Sequence, residues 1–300
     1  MLFRMLSLEH LVELAARHRE DLAAQVREFE LGGTPMAFNS RPAIMGVVNL
    51  SADSWYRESV CLSADRAIER GKVLHAQGAA VVDVGAESSL AQAARVGAEG
   101  QTSKLLPVIS ALRGAGIPVS VETYEPAVTR ACLKAGASVL NLTGTQDAES
   151  MFRLVAEHDA GLILCYVQGA NVREVGDFQF TQDPTAWMYE YFARQTELAT
   201  ACGARKILID PGLGFYYRNL QDSSVRVQHQ MSVFLNSFRL RKLGFPICHA
   251  LPHAFEFFGE EVRCAEPFFA VLAALGKTDL FRTHEVPRTR AVLETLGIYR

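Results

Sequence analysis

The chain has 300 residues, of which 49% are hydrophobic and 21% charged, so it can bury a large core and is unlike a disordered protein. Its net charge of −3 argues against a nucleic-acid partner, and no apolar stretch approaches the roughly 18 residues that span a membrane. The six cysteines lack C-x-x-C spacing, which indicates buried thiols of a cytoplasmic protein rather than a zinc or redox site.

Residues 1–40 are predicted to form an N-terminal helical extension, separate from a single domain over 41–300. Apolar residues recur at helical spacing through 7–30, Ser7 is a suitable N-cap, and Gly32-Gly33 is a suitable stop. The polar face carries both signs of charge, which favours packing against the domain or a partner subunit over membrane contact.

Strand and helix patterns alternate from residue 42 onward. The predicted strands are 43–48, 80–84, 117–121, 137–141, 161–166, 206–209, 246–249 and 279–282. The predicted helices are 63–77, 100–114, 126–135, 148–158, 184–202, 222–242, 264–275 and 286–297. Eight such units favour a closed (β/α)8 barrel of the TIM type. A doubly wound open sheet is the alternative, and the missing glycine fingerprint after the first strand counts against it.

Polar side chains stand at nearly every predicted strand exit, where (β/α)8 barrels gather their active sites. They are Asn49, Asp83, Glu122, Asn141, Tyr166, Gln168, Asp210, His249, Arg282 and His284. Any single one could simply bond to a neighbouring loop. Carboxylates, amides, an arginine and a histidine converging on one mouth favour a binding site.

Seven motifs, in order over about 42–300, resemble those of the dihydropteroate synthase family. They are IMGVVNLSADSW at 44–55, DVGAESS at 83–89, SVET at 120–123, Asn141-Leu142, Val167-Gln168-Gly169, DPGLGF at 210–215 and RTHEV at 282–286. That family joins a hydroxymethyl-dihydropterin pyrophosphate to 4-aminobenzoate in a (β/α)8 barrel. The resemblance implies a transferase of folate biosynthesis that uses Mg²⁺ and no organic cofactor.

The resemblance also implies a role for each exit residue. The residues expected to bind a pterin-like substrate are Asp83, Glu122, Asn141, Gln168 and Asp210. Those expected to act in catalysis, by holding the departing pyrophosphate, are Asn49, Arg282 and His284, with Asn49 also the Mg²⁺ ligand. A carboxylate suits the N–H-rich edge of a pterin, and a guanidinium suits phosphate oxygens.

The position of these three residues supports a shared anion site. Asn49 leaves the first strand of the barrel, and Arg282 and His284 leave the last, so a closed barrel makes them neighbours. We therefore expect a phosphate or pyrophosphate among them. The alternative is that Arg282 pairs internally with a carboxylate such as Asp53 or Glu285.

Several positions depart from the family pattern. Glu122 and Leu142 each replace an aspartate, and the segment 249–255 has no counterpart of the family's lysine. Residues 89–92 stand where the family has Thr-Arg-Pro-Gly, and Arg95 lies a few residues further on. Losing charge-assisted contacts weakens a site, so we expect synthesis of dihydropteroate to be very slow or absent.

Four functions remain open on the sequence alone. The first is a transferase of this superfamily with a changed acceptor or heterocycle. The second is a genuine but diverged dihydropteroate synthase. The third is a non-catalytic pterin-binding homologue or partner of an active synthase. The fourth is a methyltetrahydrofolate-dependent methyltransferase, which the retained Arg282 and His284 disfavour.

Two further features bear on partners and metals. An aromatic cluster near the seventh unit suggests a homodimer contact, as the family dimerises through late helices; its members are Phe255, Phe257, Phe258, Phe268 and Phe269. His229 and His253 have no partner at a metal-ligand spacing in the sequence, so no metal site is predicted there.

Overall fold

The N-terminal segment combines a short helix with a hairpin. The computed structural model describes residues 5–51, 53, 56, 59–88, 93–215, 217–220 and 222–299. In it, helix α1 (Leu8–Arg17) is followed by a 3-10 turn (Asp21–Ala23) and by antiparallel strands β1 (Phe29–Leu31) and β2 (Thr34–Met36). None of the residues of α1 is buried.

The prediction of one helix over 7–30 is wrong beyond Arg17. Gly32 and Gly33 do not stop a helix; both have positive φ, of 55° and 84°, and form the two-residue turn of the hairpin. Phe29 and Leu31 therefore follow the alternation of a strand, with Leu31 buried beside exposed Glu30. A Gly-Gly pair can end a helix or form the turn of a hairpin, and burial against the barrel favours the hairpin.

Eight parallel strands close into a barrel. They are β3 (Ala43–Asn49), β4 (Val81–Gly85), β5 (Val119–Thr123), β6 (Val139–Leu142), β7 (Gly161–Cys165), β8 (Lys206–Asp210), β9 (Cys248–Ala250) and β10 (Leu280–Thr283). Their order is β8-β7-β6-β5-β4-β3-β10-β9, and an isolated bridge between Ile209 and Ile247 joins the two ends. This confirms the predicted (β/α)8 barrel and excludes the open sheet.

Helices alternate with the strands and cover the barrel. They are α2 (Ala64–Ala76), α3 (Ala98–Gly114), α4 (Pro126–Lys134), α5 (Ala148–Glu157), α6 (Pro184–Ala201), α7 (Ser223–Asn236), α8 (Phe255–Phe258), α9 (Ala265–Leu275) and α10 (Val286–Ile298). Ser63 and Asp183 cap α2 and α6 by accepting backbone N–H bonds. The sixth predicted helix, 222–242, is shorter than expected, because 3-10 geometry replaces the α-helix over 237–243.

The hairpin plugs the amino-terminal end of the barrel. Its buried side chains join a cluster with residues of the barrel interior, namely Met45, Val81, Val139, Ile163, Leu208 and Leu280. The hairpin side contributes Val26, Leu31, Met36 and Phe38. Closing this end leaves the opposite one, where the strands exit, as the open mouth.

None of the helices in the described ranges is both long and apolar enough to cross a membrane.

Candidate active site at the mouth of the barrel

A cavity of about 150 Å³ opens at the carboxyl-terminal ends of the strands. A buried water needs only about 10–15 Å³, so this space admits a small organic molecule. Six of the eight predicted site residues line it: Asn49, Glu122, Asn141, Asp210, Arg282 and His284. Asp83 lies directly beneath them and is fully buried.

Arg282 forms the centre of the site by pairing with two carboxylates. Its Nε donates to Oδ2 of Asp83 at 2.7 Å, and its Nη2 donates to Oε2 of Glu122 at 2.5 Å. The amide nitrogen of Asn141 donates to the same oxygen of Asp83 at 3.2 Å. Burial acts to lower the pKa of Arg282, but Glu122 and Asp83 outweigh it, so the guanidinium stays charged.

The carboxylates outnumber the cations at this centre. Arg282 pairs with Asp83 and Glu122 and acts on Asp210 electrostatically, while Oδ1 of Asp83 is buried without a hydrogen-bond partner. Burial raises the pKa of Asp210 to about 6 and also raises that of Glu122, although Arg282 acts in the opposite direction on both. The site therefore holds an excess of acceptor oxygens over donors.

The three residues expected to hold an anion all line the cavity, and each is engaged with another side chain. Arg282 faces Asp83 and Glu122, so internal pairing occurs, though with other carboxylates than the two considered in the sequence analysis. Nδ2 of Asn49 donates to the hydroxyl of Ser59 at 2.6 Å. Nδ1 of His284 lies 2.7 Å from a carboxylate oxygen of Glu266.

The two other candidates are the carboxylates Asp53 and Glu285. Oδ2 of Asp53 accepts the backbone N–H of Ala94 at 3.3 Å. Glu285 is bound by Arg263, whose Nε lies 2.5 Å from Oε1, and by the hydroxyl of Tyr56. Both carboxylates are thus engaged in fastening the loops around the mouth.

Two of the predicted exit residues face away from the cavity. Gln168 bonds to the hydroxyl of Tyr166 at 2.9 Å and accepts the backbone N–H of Gln179 at 2.6 Å. His249 is fully buried on the helix side of β9, where Nε2 lies 2.7 Å from the hydroxyl of Ser237. Burial lowers the pKa of His249 to about 3, so this imidazole is neutral.

Two arginines, Arg95 and Arg173, lie near residues 89–92. Residues 52, 55 and 89–92, where the sequence departs from the family pattern, lie outside the described ranges. Arg95 is half-exposed and pairs with Glu174 at 2.9 Å. Arg173, which the sequence analysis missed, is buried and donates to the carbonyl oxygens of Ser88 and Ala93 on either side of 89–92. It therefore fixes both ends of this loop.

Four more residues of the mouth were not predicted as site residues: Tyr56, Arg226, Glu266 and His253, for which the sequence predicted no metal site. Arg226 lines the cavity and pairs with Glu256 at 2.6 Å. His253 lies 3.2 Å from Oε1 of Glu266, and Tyr56 stacks on the imidazole of His253 with ring centroids 4.9 Å apart. Their neighbours are far away in the sequence, so no local spacing could have revealed them.

The fold and the site define a (β/α)8 barrel with an acceptor-rich pocket at its carboxyl-terminal mouth. The sequence of residues 45–250 matches the family described as "Pterin binding enzyme". The chain therefore belongs to the family of pterin-binding enzymes.

Relatives and solved structures agree with this assignment. A dihydropteroate synthase of Streptococcus pyogenes is 30% identical over 268 residues, covering 85% of this chain and 94% of that protein. One from Synechocystis is 27% identical, covering 85% and 89%. The structure of Xanthomonas albilineans dihydropteroate synthase in complex with 7,8-dihydropteroate superimposes with a TM-score of 0.73 at 25% identity, covering 91% of this chain and 98% of that one. The chain is thus dihydropteroate synthase-like.

Proposed function

We propose that this protein is a dihydropteroate synthase-like transferase that displaces pyrophosphate, or a similar anion, from a pterin-like substrate and uses a changed acceptor or heterocycle. The observation that supports a pterin-like heterocycle as the substrate is the surplus of buried hydrogen-bond acceptors around Arg282. A pterin presents an amino-pyrimidinone edge rich in N–H donors, which carboxylates accept well. Asp210 and Asn141 are the residues proposed to bind that edge.

The proposed reaction is a displacement at the methylene carbon of the heterocycle. The nitrogen of the acceptor attacks this carbon while the carbon–oxygen bond breaks, and the bonding electrons leave with pyrophosphate. The acceptor nitrogen then loses a proton to solvent. Arg282 and His284 are proposed to stabilise the negative charge that develops on the leaving oxygens.

Asn49 suits the proposed role as a Mg²⁺ ligand. Mg²⁺ takes oxygen ligands and is often held by few protein groups together with substrate phosphates. The amide nitrogen of Asn49 donates to Ser59 at 2.6 Å, which fixes the orientation of the group that carries the carbonyl oxygen. When bound, the ion would neutralise charge on the pyrophosphate.

The proposal of a changed acceptor is tested by pyrophosphate release. The substrate is a hydroxymethyl-dihydropterin pyrophosphate, offered with 4-aminobenzoate and with aryl amines that lack a carboxylate. We expect 4-aminobenzoate to be at least about a hundredfold poorer than in a Streptococcus pyogenes synthase, since two charge-assisted contacts of about 1.5–3 kcal/mol each are missing. An amine without the carboxylate should restore turnover.

The control variants separate binding from folding. Asp210→Asn should abolish pterin binding in calorimetry. Asp159→Asn, in the turn before β7 and at the opposite end of the barrel, should leave binding unchanged. Equal binding of a pterin by wild type and Asp210→Asn would contradict the assignment of this slot.

A genuine dihydropteroate synthase is the second candidate, because the similarity to such enzymes extends over 85% of the chain. Robust growth of a synthase-deficient strain that carries this chain would favour it over a changed acceptor. We further propose that the protein is a homodimer.

A further inference from the structure

Three side chains that no sequence motif connects meet at one edge of the mouth. His253 follows β9, Glu266 begins α9, and His284 follows β10. Their facing atoms are Nε2 of His253, Oε1 of Glu266 and Nδ1 of His284. The distances are 2.7 Å from Oε1 to Nδ1, 3.2 Å from Oε1 to Nε2, and 3.3 Å between the two nitrogens.

These separations are those of atoms bound to one metal ion. Zinc binds histidine nitrogen and carboxylate oxygen at about 2.0–2.2 Å, so tetrahedral ligand atoms stand about 3.3–3.5 Å apart and octahedral ones about 2.8–3.1 Å. The distances of 3.2 and 3.3 Å lie near the tetrahedral range, and the 2.7 Å between Oε1 and Nδ1 is slightly shorter than the octahedral one. A single ion can therefore reach all three atoms with little movement of the side chains.

Hydrogen bonding alone brings two donors close together in this arrangement. A neutral imidazole carries one N–H, and both facing nitrogens would have to donate to the same carboxylate oxygen. Two donor nitrogens would then stand 3.3 Å apart with their hydrogens directed at one point. A divalent ion at that point replaces both hydrogens and binds all three atoms.

The carboxylate is held in place by groups other than the imidazoles. Oε2 of Glu266 accepts the backbone N–H of His284 at 2.9 Å and that of Glu285 at 3.0 Å, and also the hydroxyl of Thr283. Oε1 is thereby turned toward the two imidazoles. Such outer contacts orient a metal ligand and tune its affinity.

The imidazoles are fixed by aromatic stacking. The ring of Tyr56 lies 4.9 Å from that of His253 and 4.7 Å from that of His284, nearly parallel to both. The ring of Phe255 stacks on His253 at 5.3 Å. Side chains that packing holds in one conformation distinguish a metal site from side chains that lie close together by chance.

The charge and exposure of the cluster also suit a bound cation. The ion pairs of Glu266 in the described part of the chain are with these two imidazoles, and its side chain is fully buried. Both histidines line the cavity, so a further coordination position faces it.

We propose that His253, Glu266 and His284 bind one divalent first-row transition metal ion, with Zn²⁺ as the best match, in a site open to the cavity. Two nitrogens and one oxygen suit Zn²⁺ and disfavour Mg²⁺, which prefers oxygen alone. The site is thus distinct from the one proposed at Asn49. It also places a positive charge on the side of the mouth where the chain has no counterpart of the family's lysine.

Metal binding is measured on the full chain after chelator treatment and dialysis. Titration calorimetry with Zn²⁺ should give one tight site per chain, and Mg²⁺ at the same concentration should not compete. His253→Ala and His284→Ala should each weaken Zn²⁺ binding about a hundredfold or more. Loss of a group that only hydrogen-bonds to a metal ligand typically lowers metal affinity about 10–100-fold, and loss of the ligand itself should lower it at least as much. Circular dichroism confirms that each variant is folded.

Two controls exclude adventitious sites. Cys264 is an exposed thiol two residues before Glu266, so Cys264→Ser tests whether the thiol is the ligand. His158→Asn removes an exposed histidine elsewhere. Both should bind Zn²⁺ as wild type does, and a zinc-edge anomalous map should show one peak among the three side chains. Absent binding by wild type, or tight binding that survives His253→Ala, would overturn the proposal.

Discussion

Arg282 is the residue on which the charge balance of the mouth depends. It is mostly buried and compensates Asp83 and Glu122 together. Arg282→Gln leaves two buried carboxylates without a cation, and we expect it to lower the free energy of unfolding by about 3–5 kcal/mol. Denaturation in urea at neutral pH measures this.

The matched control for this prediction is Arg95→Gln. It also removes an arginine–carboxylate pair, but one that is about half exposed, so the expected loss is below about 1 kcal/mol. Equal losses in the two variants would show that Arg282 does not compensate the buried carboxylates.

Asp210 gives the mouth a defined pH dependence. Its pKa in the folded protein is raised from 3.8 to about 6, mainly by burial. The folded state therefore binds more protons than the unfolded state between these values. The contribution of Asp210 to the free energy of unfolding is fully present below the unfolded pKa and is lost as pH rises through about 6. Asp210→Asn removes it.

The measurement is the free energy of unfolding of both proteins at a series of pH values. The stability of the variant relative to wild type should increase by about 3 kcal/mol from pH 3.5 to pH 7, at 1.36 kcal/mol for each unit of pKa. Carboxylates remote from Asp210 cancel in the difference, and Glu122, whose pKa Asp210 helps to raise, changes it in the same direction. A pH-independent difference would show that Asp210 titrates normally.

At the scale of single elements, the hairpin of β1 and β2 is part of the barrel core rather than an appendage. A Cβ atom at Gly161, the first residue of β7, would lie 2.6 Å from Cδ2 of Leu31 and 3.3 Å from Cγ2 of Val139. We therefore expect Gly161→Ala to cost about 1–3 kcal/mol by overpacking. Thermal or urea unfolding measures the cost.

A double-mutant cycle with Leu31→Ala tests the cause. Leu31→Ala alone should cost about 2–5 kcal/mol through the cavity it leaves. In that background Gly161→Ala should cost much less, because the methyl group enters the vacated space, so the two changes should be non-additive. Additive costs would indicate that the hairpin does not press on β7.

The element scale also shows where sequence reasoning succeeds. The eight strands were predictable because apolar runs of strand length alternate with helical periods. The hairpin was not, because Phe29 fits both a helical spacing with Val26 and a strand alternation with Leu31, and only contact with the barrel interior selects the strand. The limit is the ambiguity of short apolar runs.

At the scale of the whole molecule, the proposed homodimer has an exposed apolar surface to use. Phe257 and Phe268 are 60% and 42% exposed. We expect light scattering to show a dimer, and Phe257→Asp with Phe268→Asp to shift it toward monomer. Trp187→Asp, which changes an aromatic residue 59% exposed on α6, is the control. A monomeric wild type would contradict the proposal.

The candidate site was predictable in its membership more than in its contacts. The strand exits identified Asp83, Glu122 and Arg282 because parallel strands bring their ends to one rim. The carboxylates that pair with Arg282 are determined by distances across the barrel, and no local sequence pattern encodes these distances. His253 and Glu266 were missed for the same reason, since loops and helices of different units bring them together.

The bridge between Ile209 and Ile247 makes one junction of the barrel unlike the others. The strands β3 and β10 pair over four residues although they come from opposite ends of the domain, whereas β8 and β9 meet at a single isolated bridge. The ring therefore has a seam, and it runs up the wall that carries Asp210. Amide protons along such a seam exchange with solvent earlier than those of the other strands. Local opening between β8 and β9 can admit a bulky ligand while the other seven strand pairings stay intact.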